Sequence, residues 1–269
     1  MKNLWIRTLS GLVFLGVMVG GLLGGLVPYA CLMIFLTAGM MYEFYTMTLG
    51  RKHRLQKIAG IAFGIILWGT CFVLPAATLV LLLIVFVLLL LIVQLYEKDE
   101  KPFHTVACTL LGVFYIAAPL MLFNLLGLGN RPALLGLFII LWSSDVGAYV
   151  SGMLFGQKGK HKLFPSISPK KSWEGFFGGL LTALAAGYVL LVTGMLPYGL
   201  VHVLVISSLI SVFGVFGDLV ESMLKRSVGV KDSGRIMPGH GGLLDRFDAA
   251  LFALPVALLY MDRFSLLNL

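Results

Sequence analysis

The residues best equipped for chemistry lie between Asp218 and Asp248. This short run carries ten of the chain's 20 basic and 12 acidic side chains: Asp218, Glu221, Lys225, Arg226, Lys231, Asp232, Arg235, Asp245, Arg246 and Asp248, with Ser222 and His240 among them. Asp218, Glu221, Ser222 and Lys225 fall at i, i+3, i+4 and i+7, so a helix continuing to about residue 226 sets them in one stripe. Asp245 and Asp248, three apart, share a face at the start of the next helix, where carboxylates suit the positive end of the dipole. Two carboxylate-bearing helix ends can hold a divalent ion. Mg²⁺ takes oxygen ligands, usually one or two carboxylates plus substrate phosphates. Pairing with Lys225, Arg226 or Arg246 explains any single acid equally well. The cluster as a whole reads better as a site, because charges beside hydrocarbon are costly unless they pair, bind ions or face water.

The segment Gly234–Gly242, GRIMPGHGG, is a poor helix. Pro238 and the glycines after it favour turns and exposed amides, which can cradle phosphate oxygens or simply connect two helices. His240 within it could donate to a phosphate, act as acid or base, or make a structural hydrogen bond. Lys170 and Lys171 follow Pro169 and precede Trp173 and Glu174. Cations beside an aromatic suit a lipid headgroup, and they equally serve as topology signals. Asp145 lies inside an apolar run one turn from Tyr149. Such an acid is a functional candidate by default, with a buried ion pair as the alternative.

The elements that must position these groups are membrane helices. The 269 residues are 59% hydrophobic and 12% charged, against about 25% charged in a soluble domain. Continuous apolar runs exclude the alternating pattern of a β-barrel. At about 20 residues per span, the runs predict an all-α polytopic protein of about nine transmembrane helices, near 4–25, 27–47, 58–75, 76–96, 105–126, 133–154, 173–195, 198–220 and 246–264. Glu43 is expected at the membrane interface beside Tyr42 and Tyr45. Loop 97–104 is expected to be solvated, and the apolar fourth helix to face lipid. Cys31, Cys71 and Cys108 sit in apolar runs without metal or disulfide spacing and read as free, buried thiols. Lys2 and Arg7 precede an apolar run with no clear cleavage site, which reads as an uncleaved first span.

Nine spans place the N-terminus and loops 48–57, 97–104, 156–172 and 221–245 on one side. Of the 20 Lys and Arg residues, all but Arg131 and Arg263 fall there. The positive-inside bias makes that side cytoplasmic. The net charge of +8 is thus a topology signal, and nucleic acid is not an expected partner. The chain reads as a single transmembrane domain, 1–269, with helices for packing in 1–130 and the catalytic helices and loops in 131–269. Gly16, Gly20 and Gly24 recur every four residues and suit close helix packing, within the chain or in a homodimer. Cations, carboxylates and a glycine turn at a membrane surface fit phosphoryl or nucleotidyl transfer to a lipid, which needs charge neutralisation and positioning more than covalent catalysis. The residues themselves name neither the nucleotide nor the lipid.

Read as S-x-L-K-R-x4-K-D-x-G-x3-P-G-H-G-G-x2-D-R-x-D, Ser222–Asp248 resembles the diagnostic motif of phosphatidate cytidylyltransferases. GDLVES at Gly217–Ser222, D-x-x-A-Y at Asp145–Tyr149 and SPKKSWEG at Ser168–Gly175 resemble that family too, so the motifs cover about the C-terminal half. Met237 and Ser172 depart mildly from the pattern without removing a charge. The resemblance implies CMP transfer from CTP to phosphatidate with Mg²⁺, giving CDP-diacylglycerol and diphosphate, by a polytopic helical enzyme of the cell inner membrane, possibly a homodimer. It implies Asp218 and Asp245 as metal-binding carboxylates and Lys225, Arg226, Lys231 and Arg246 as phosphate contacts. Ser222, Asp232, His240 and Asp248 would join the same polar site, Lys170 and Lys171 would help hold CTP or the phosphatidate headgroup, and Asp145 would line the cavity. A CTP-dependent polyprenol kinase uses similar charges. An ion-coupled transporter is the alternative from another class, weighed against by acids that cluster at one face.

Overall fold

A computed structural model describes residues 2–50, 52–71, 73–156, 161–237, 239 and 241–268. Among these, nine long helices follow one another: α1 (Lys2–Leu23), α2 (Leu26–Leu49), α3 (Arg54–Thr70), α4 (Ala76–Tyr96), α5 (Pro102–Gly127), α6 (Arg131–Phe155), α7 (Trp173–Val192), α8 (Leu200–Ser227) and α9 (Leu244–Arg263). α5 contains a π-helical turn at Val113–Ala117. Six of them, α2, α4, α5, α6, α7 and α8, are long and apolar enough to cross a membrane. On α4, Leu81, Ile84, Leu88 and Ile92 are each at least half exposed, an apolar face that suits lipid rather than water. The chain is all-α and of membrane type, with one addition that periodicity missed. Loop 156–172 holds an antiparallel hairpin, β1 (Lys162–Phe164) and β2 (Ser168–Ser172), with Lys162 opposite Ser172. Two three- to five-residue strands are too short to show an alternation.

The chain divides into two compact units. The first comprises Met1–Gly21, Val27–Leu122 and Asp232–Asp245; the second comprises Leu22–Leu26, Phe123–Lys231 and Arg246–Leu269.

In the first unit, glycines on α3 and α5 admit aromatic and sulfur side chains from α2. Fully buried Tyr45 lies against Gly60 and Gly112 and donates to the Thr109 carbonyl (2.7 Å). Met41 occupies the space at Gly64. Phe63 of α3 stacks on Phe86 of α4 with ring centres 3.9 Å apart. Loop 97–101 is tied down rather than merely solvated. His53 Nδ1 meets Glu97 Oε2 at 3.1 Å, and Asp99 accepts from Thr105 Oγ1 (2.6 Å), Gln94 Nε2 (2.8 Å) and Lys101 N (2.9 Å). The Thr105 hydroxyl, followed by the Lys101 amide, holds the Asp99 carboxyl below its ordinary range. Three acids in so short a loop need donors, and these side chains provide them.

In the second unit α6 and α7 approach closely because small residues face each other. Gly147 lies against Thr182, Gly178 against Ser151 and Gly179 against Ser144. Thr182 Oγ1 donates to the Ser143 carbonyl (3.1 Å), and the Ser144 and Ser211 hydroxyls meet at 2.8 Å to tie α6 to α8. Such interhelical bonds contribute about 0.6 kcal/mol each in a membrane, so the close packing matters more. A Cβ at Gly217 would come within 2.5 Å of the Asp248 carbonyl oxygen, which sets α8 directly against α9. In contrast, a Cβ at Gly16 or Gly20 of α1 would meet nothing within 4 Å. The three cysteines are expected to be buried, but Cys31 is exposed and Cys71 and Cys108 are half-buried. An apolar run says which residues can leave water. It does not say which ones face lipid.

Candidate active site

The second unit gathers a carboxylate and lysine cluster. α8 runs to Ser227, so Asp218, Glu221, Ser222 and Lys225 do form one stripe. The hairpin carries Lys171 to it from β2. Lys171 Nζ lies 2.8 Å from Asp218 Oδ2 and donates to the Val215 carbonyl (3.2 Å) one turn earlier on α8. The hairpin in turn leads into α7 through Ser172, whose Oγ caps Gly175 N (3.2 Å). Its other side is fixed by Trp173 N on the His161 carbonyl (3.0 Å) and His161 Nδ1 on Glu174 Oε1 (3.0 Å).

Ser222 Oγ donates to Asp218 Oδ1 (3.2 Å), so both oxygens of Asp218 are oriented while its side chain stays 42% exposed. Lys225 Nζ lies 2.7 Å from Oε2 of Glu221, which is wholly buried. Asp145 of α6 and Asp248 of α9 both feel the negative charge of Asp218, and Lys171 and Arg246 offset it at Asp145. Asp145 itself is exposed. The second unit thus brings together Asp145, Lys171, Asp218, Glu221, Ser222, Lys225, Arg246 and Asp248. Lys170, Arg226 and Lys231 are exposed, and Arg226 Nη1 donates to the Val230 carbonyl (3.3 Å).

The first unit holds Asp245 in a different way. After Asp232, which is exposed, the chain makes turns closed by Met237 N on the Gly241 carbonyl (3.0 Å), with Gly239 and Gly241 at φ of 76° and 85°. These left-handed values are open to glycine at no steric cost. The loop is therefore non-helical, as its composition predicts. Two of the amides near Asp245 serve the protein itself: Ser233 N (3.0 Å) and Gly242 N (2.7 Å) both donate to Asp245 Oδ2. His240 and Pro238 lie outside the described residues, as do Arg51, Lys158 and Lys160.

Glu43 is the residue whose contacts sequence reasoning missed. It is 3% exposed, and its Oε2 accepts from Leu244 N (2.9 Å) and Ser233 Oγ (3.2 Å). The signal was available: Glu43, like Asp145, is an acid inside an apolar helix. Its position near a helix end suggests only an interfacial place, but two glycines, Gly234 and Gly242, make room for its carboxylate and two donors satisfy Oε2.

The donor set suits a hard cation, with carboxylates and a hydroxyl rather than sulfur or imidazole. Among the described residues no three His, Cys, Asp or Glu side chains converge as a ready-made metal cage.

Compared with known protein families, residues 5–264 match the cytidylyltransferase family. A phosphatidate cytidylyltransferase of Bacillus subtilis is 35% identical over 272 residues, covering 96% of each chain. Those of Staphylococcus haemolyticus and Staphylococcus epidermidis are 43% and 44% identical over 160 residues, a stretch that covers 60% of this chain and 60% of each of theirs.

Proposed function

From the premise that the chain belongs to the cytidylyltransferase family, we propose that it transfers CMP from CTP to phosphatidate, forming CDP-diacylglycerol and diphosphate at the cytoplasmic face of the cell inner membrane. The observation that carries this reading is the cluster built on Lys171–Asp218 (2.8 Å), with Asp145, Arg246 and Asp248 around it, in an otherwise apolar helical unit. Charge of both signs held by short contacts is what two phosphate-bearing substrates and an ion require.

A phosphate oxygen of phosphatidate attacks the α-phosphorus of CTP. The bond to the oxygen bridging the α- and β-phosphorus atoms breaks, and diphosphate leaves with that electron pair. Asp218 and Asp245 are the proposed Mg²⁺ carboxylates, and the ion, when bound, neutralises charge on the nucleotide and on the leaving diphosphate. Lys171, Lys225, Arg226, Lys231 and Arg246 contact phosphates, and Lys170 adds charge at the headgroup. Ser222 orients Asp218. Asp232, His240 and Asp248 complete the polar surroundings, and Asp145 lines the cavity. Phosphatidate is already anionic at neutral pH, so no strong general base is needed. The nine-span topology with a cytoplasmic N-terminus, and a homodimer using the uncovered Gly16 and Gly20 face, belong to the same proposal.

Purified protein is incubated with CTP, phosphatidate and Mg²⁺, and the lipid product is identified by mass. CDP-diacylglycerol supports the reading. A phosphorylated polyprenol from a parallel incubation, with no CDP-lipid, contradicts it.

A further inference from the structure

We infer that Glu43 is a positioning residue for the proposed transfer, acting through the loop that carries Asp245; the inference rests on the functional reading above. In the first unit five contacts converge on two residues of α2, Gly39 and Glu43. Glu43 Oε2 accepts from Leu244 N (2.9 Å) and from the Ser233 hydroxyl (3.2 Å), so one carboxylate oxygen ties the two ends of segment 233–244 together. One turn earlier on α2, Gly39 leaves room for Leu243, whose Cδ2 would lie 2.8 Å from a Cβ there. At Gly234 and Gly242 an added Cβ would run into the Glu43 carboxylate. Glycine at all three places lets the loop lie directly on the helix.

The consequence passes to Asp245 through Ser233. A hydroxyl has one proton to give and two lone pairs. The Ser233 proton goes to Glu43, which leaves its oxygen turned to accept from Asp245 N (3.3 Å). The Ser233 amide then donates to Asp245 Oδ2 (3.0 Å), and Gly242 N does the same (2.7 Å). Glu43 thereby sets the backbone and, through the amides on either side, the carboxylate of Asp245. Glu43 itself is 3% exposed, and its other oxygen has no hydrogen-bond partner among the described residues. A buried acceptor of this kind is retained for geometry, since leaving a polar oxygen unsatisfied is costly.

A positioning role depends on reach and acceptor capacity, not on charge. Glu43→Gln keeps an oxygen at the same distance, Glu43→Asp withdraws it by one methylene, and Glu43→Ala removes it. Glu43→Gln is expected to keep kcat within about fivefold. Glu43→Ala and Glu43→Asp should lower kcat by about 10- to 100-fold, the usual effect of removing a group that orients a ligand, with KM for CTP moving far less. Gly242→Ala presses on the same clasp from the loop side and should lower kcat in the same way. Hydrogen exchange without CTP, lipid or Mg²⁺ gives a readout independent of turnover: the amides of Ser233, Gly242 and Leu244 should exchange faster in Glu43→Ala. Wild-type kcat in Glu43→Ala, unchanged exchange at those amides, or Glu43→Asp outperforming Glu43→Gln would each overturn the inference. A wild-type protein that makes no CDP-lipid would overturn the functional reading instead, and the exchange comparison would still decide the clasp.

Discussion

Asp218 and Asp245 are held by opposite means. In the second unit Asp218 faces a lysine ammonium and a serine hydroxyl. In the first unit Asp245 faces backbone amides of Ser233 and Gly242, themselves steadied by Glu43. A lysine is a mobile point charge on a four-carbon stem, able to exchange a carboxylate for a phosphate. An amide cannot leave. Asp218 therefore sits in a set that can rearrange around an arriving anion, whereas Asp245 is preorganised.

The largest effects test whether both carboxylates act by charge. Asn in place of Asp245 can still accept from the two amides through its carbonyl oxygen, so Asp245→Asn removes the charge and keeps the loop. Asp218→Asn likewise keeps size and the Ser222 contact. Each is expected to lower kcat by about 1,000-fold or more, with thermal unfolding in detergent unchanged. Near-wild-type rates in either, across a Mg²⁺ titration, would break the symmetry between them.

The next test separates ion pairs with different jobs. Lys171–Asp218 is partly exposed, with 22% and 42% of the two side chains accessible, so its loss should change stability by no more than about 1 kcal/mol. Lys171→Ala should instead lower kcat/KM for the nucleotide by about 100-fold. Lys225–Glu221 is the reverse case. Glu221 is fully buried, and Lys225→Met, which removes the cation 2.7 Å from its Oε2, should destabilise the protein by about 3 kcal/mol. Glu221→Gln combined with Lys225→Met should recover most of that loss. Equal stability of Lys225→Met and wild type would show that Lys225 is held for phosphate alone.

Smaller effects distinguish the two serines. Ser233→Ala should cost about tenfold in kcat, because Ser233 links Glu43 to Asp245. Ser222→Ala should cost about threefold, because Lys171 still orients Asp218. The smallest effect lies far from the polar cluster. Asp99, held below its ordinary carboxyl range chiefly by Thr105, adds stability that is present above about pH 4 and lost as pH falls through its lowered value. Thr105→Val should flatten that part of an unfolding-versus-pH profile.

Much of this was legible beforehand. The helical class, the stripe from Asp218 to Lys225 and the turn-rich loop before Asp245 follow from spacing and from glycine and proline placement. The hairpin that delivers Lys171 was not, because strands of three and five residues leave no period to read. The Glu221–Lys225 pair was an open alternative that only burial could resolve. Glu43 was missed because its partners lie about 190 and 200 residues further along the chain. No local pattern encodes so distant a contact; only the glycines at 39, 234 and 242 hint that something must fit against them.

The central claim is transfer of the α-phosphorus of CTP to a lipid. Parallel incubations with phosphatidate and Mg²⁺, one with CTP labelled at the α-phosphate and one at the γ-phosphate, test it most directly. The expected result is α-label in the lipid and γ-label in free diphosphate. Gamma-label in the lipid, or α-label remaining in the aqueous phase, would contradict it.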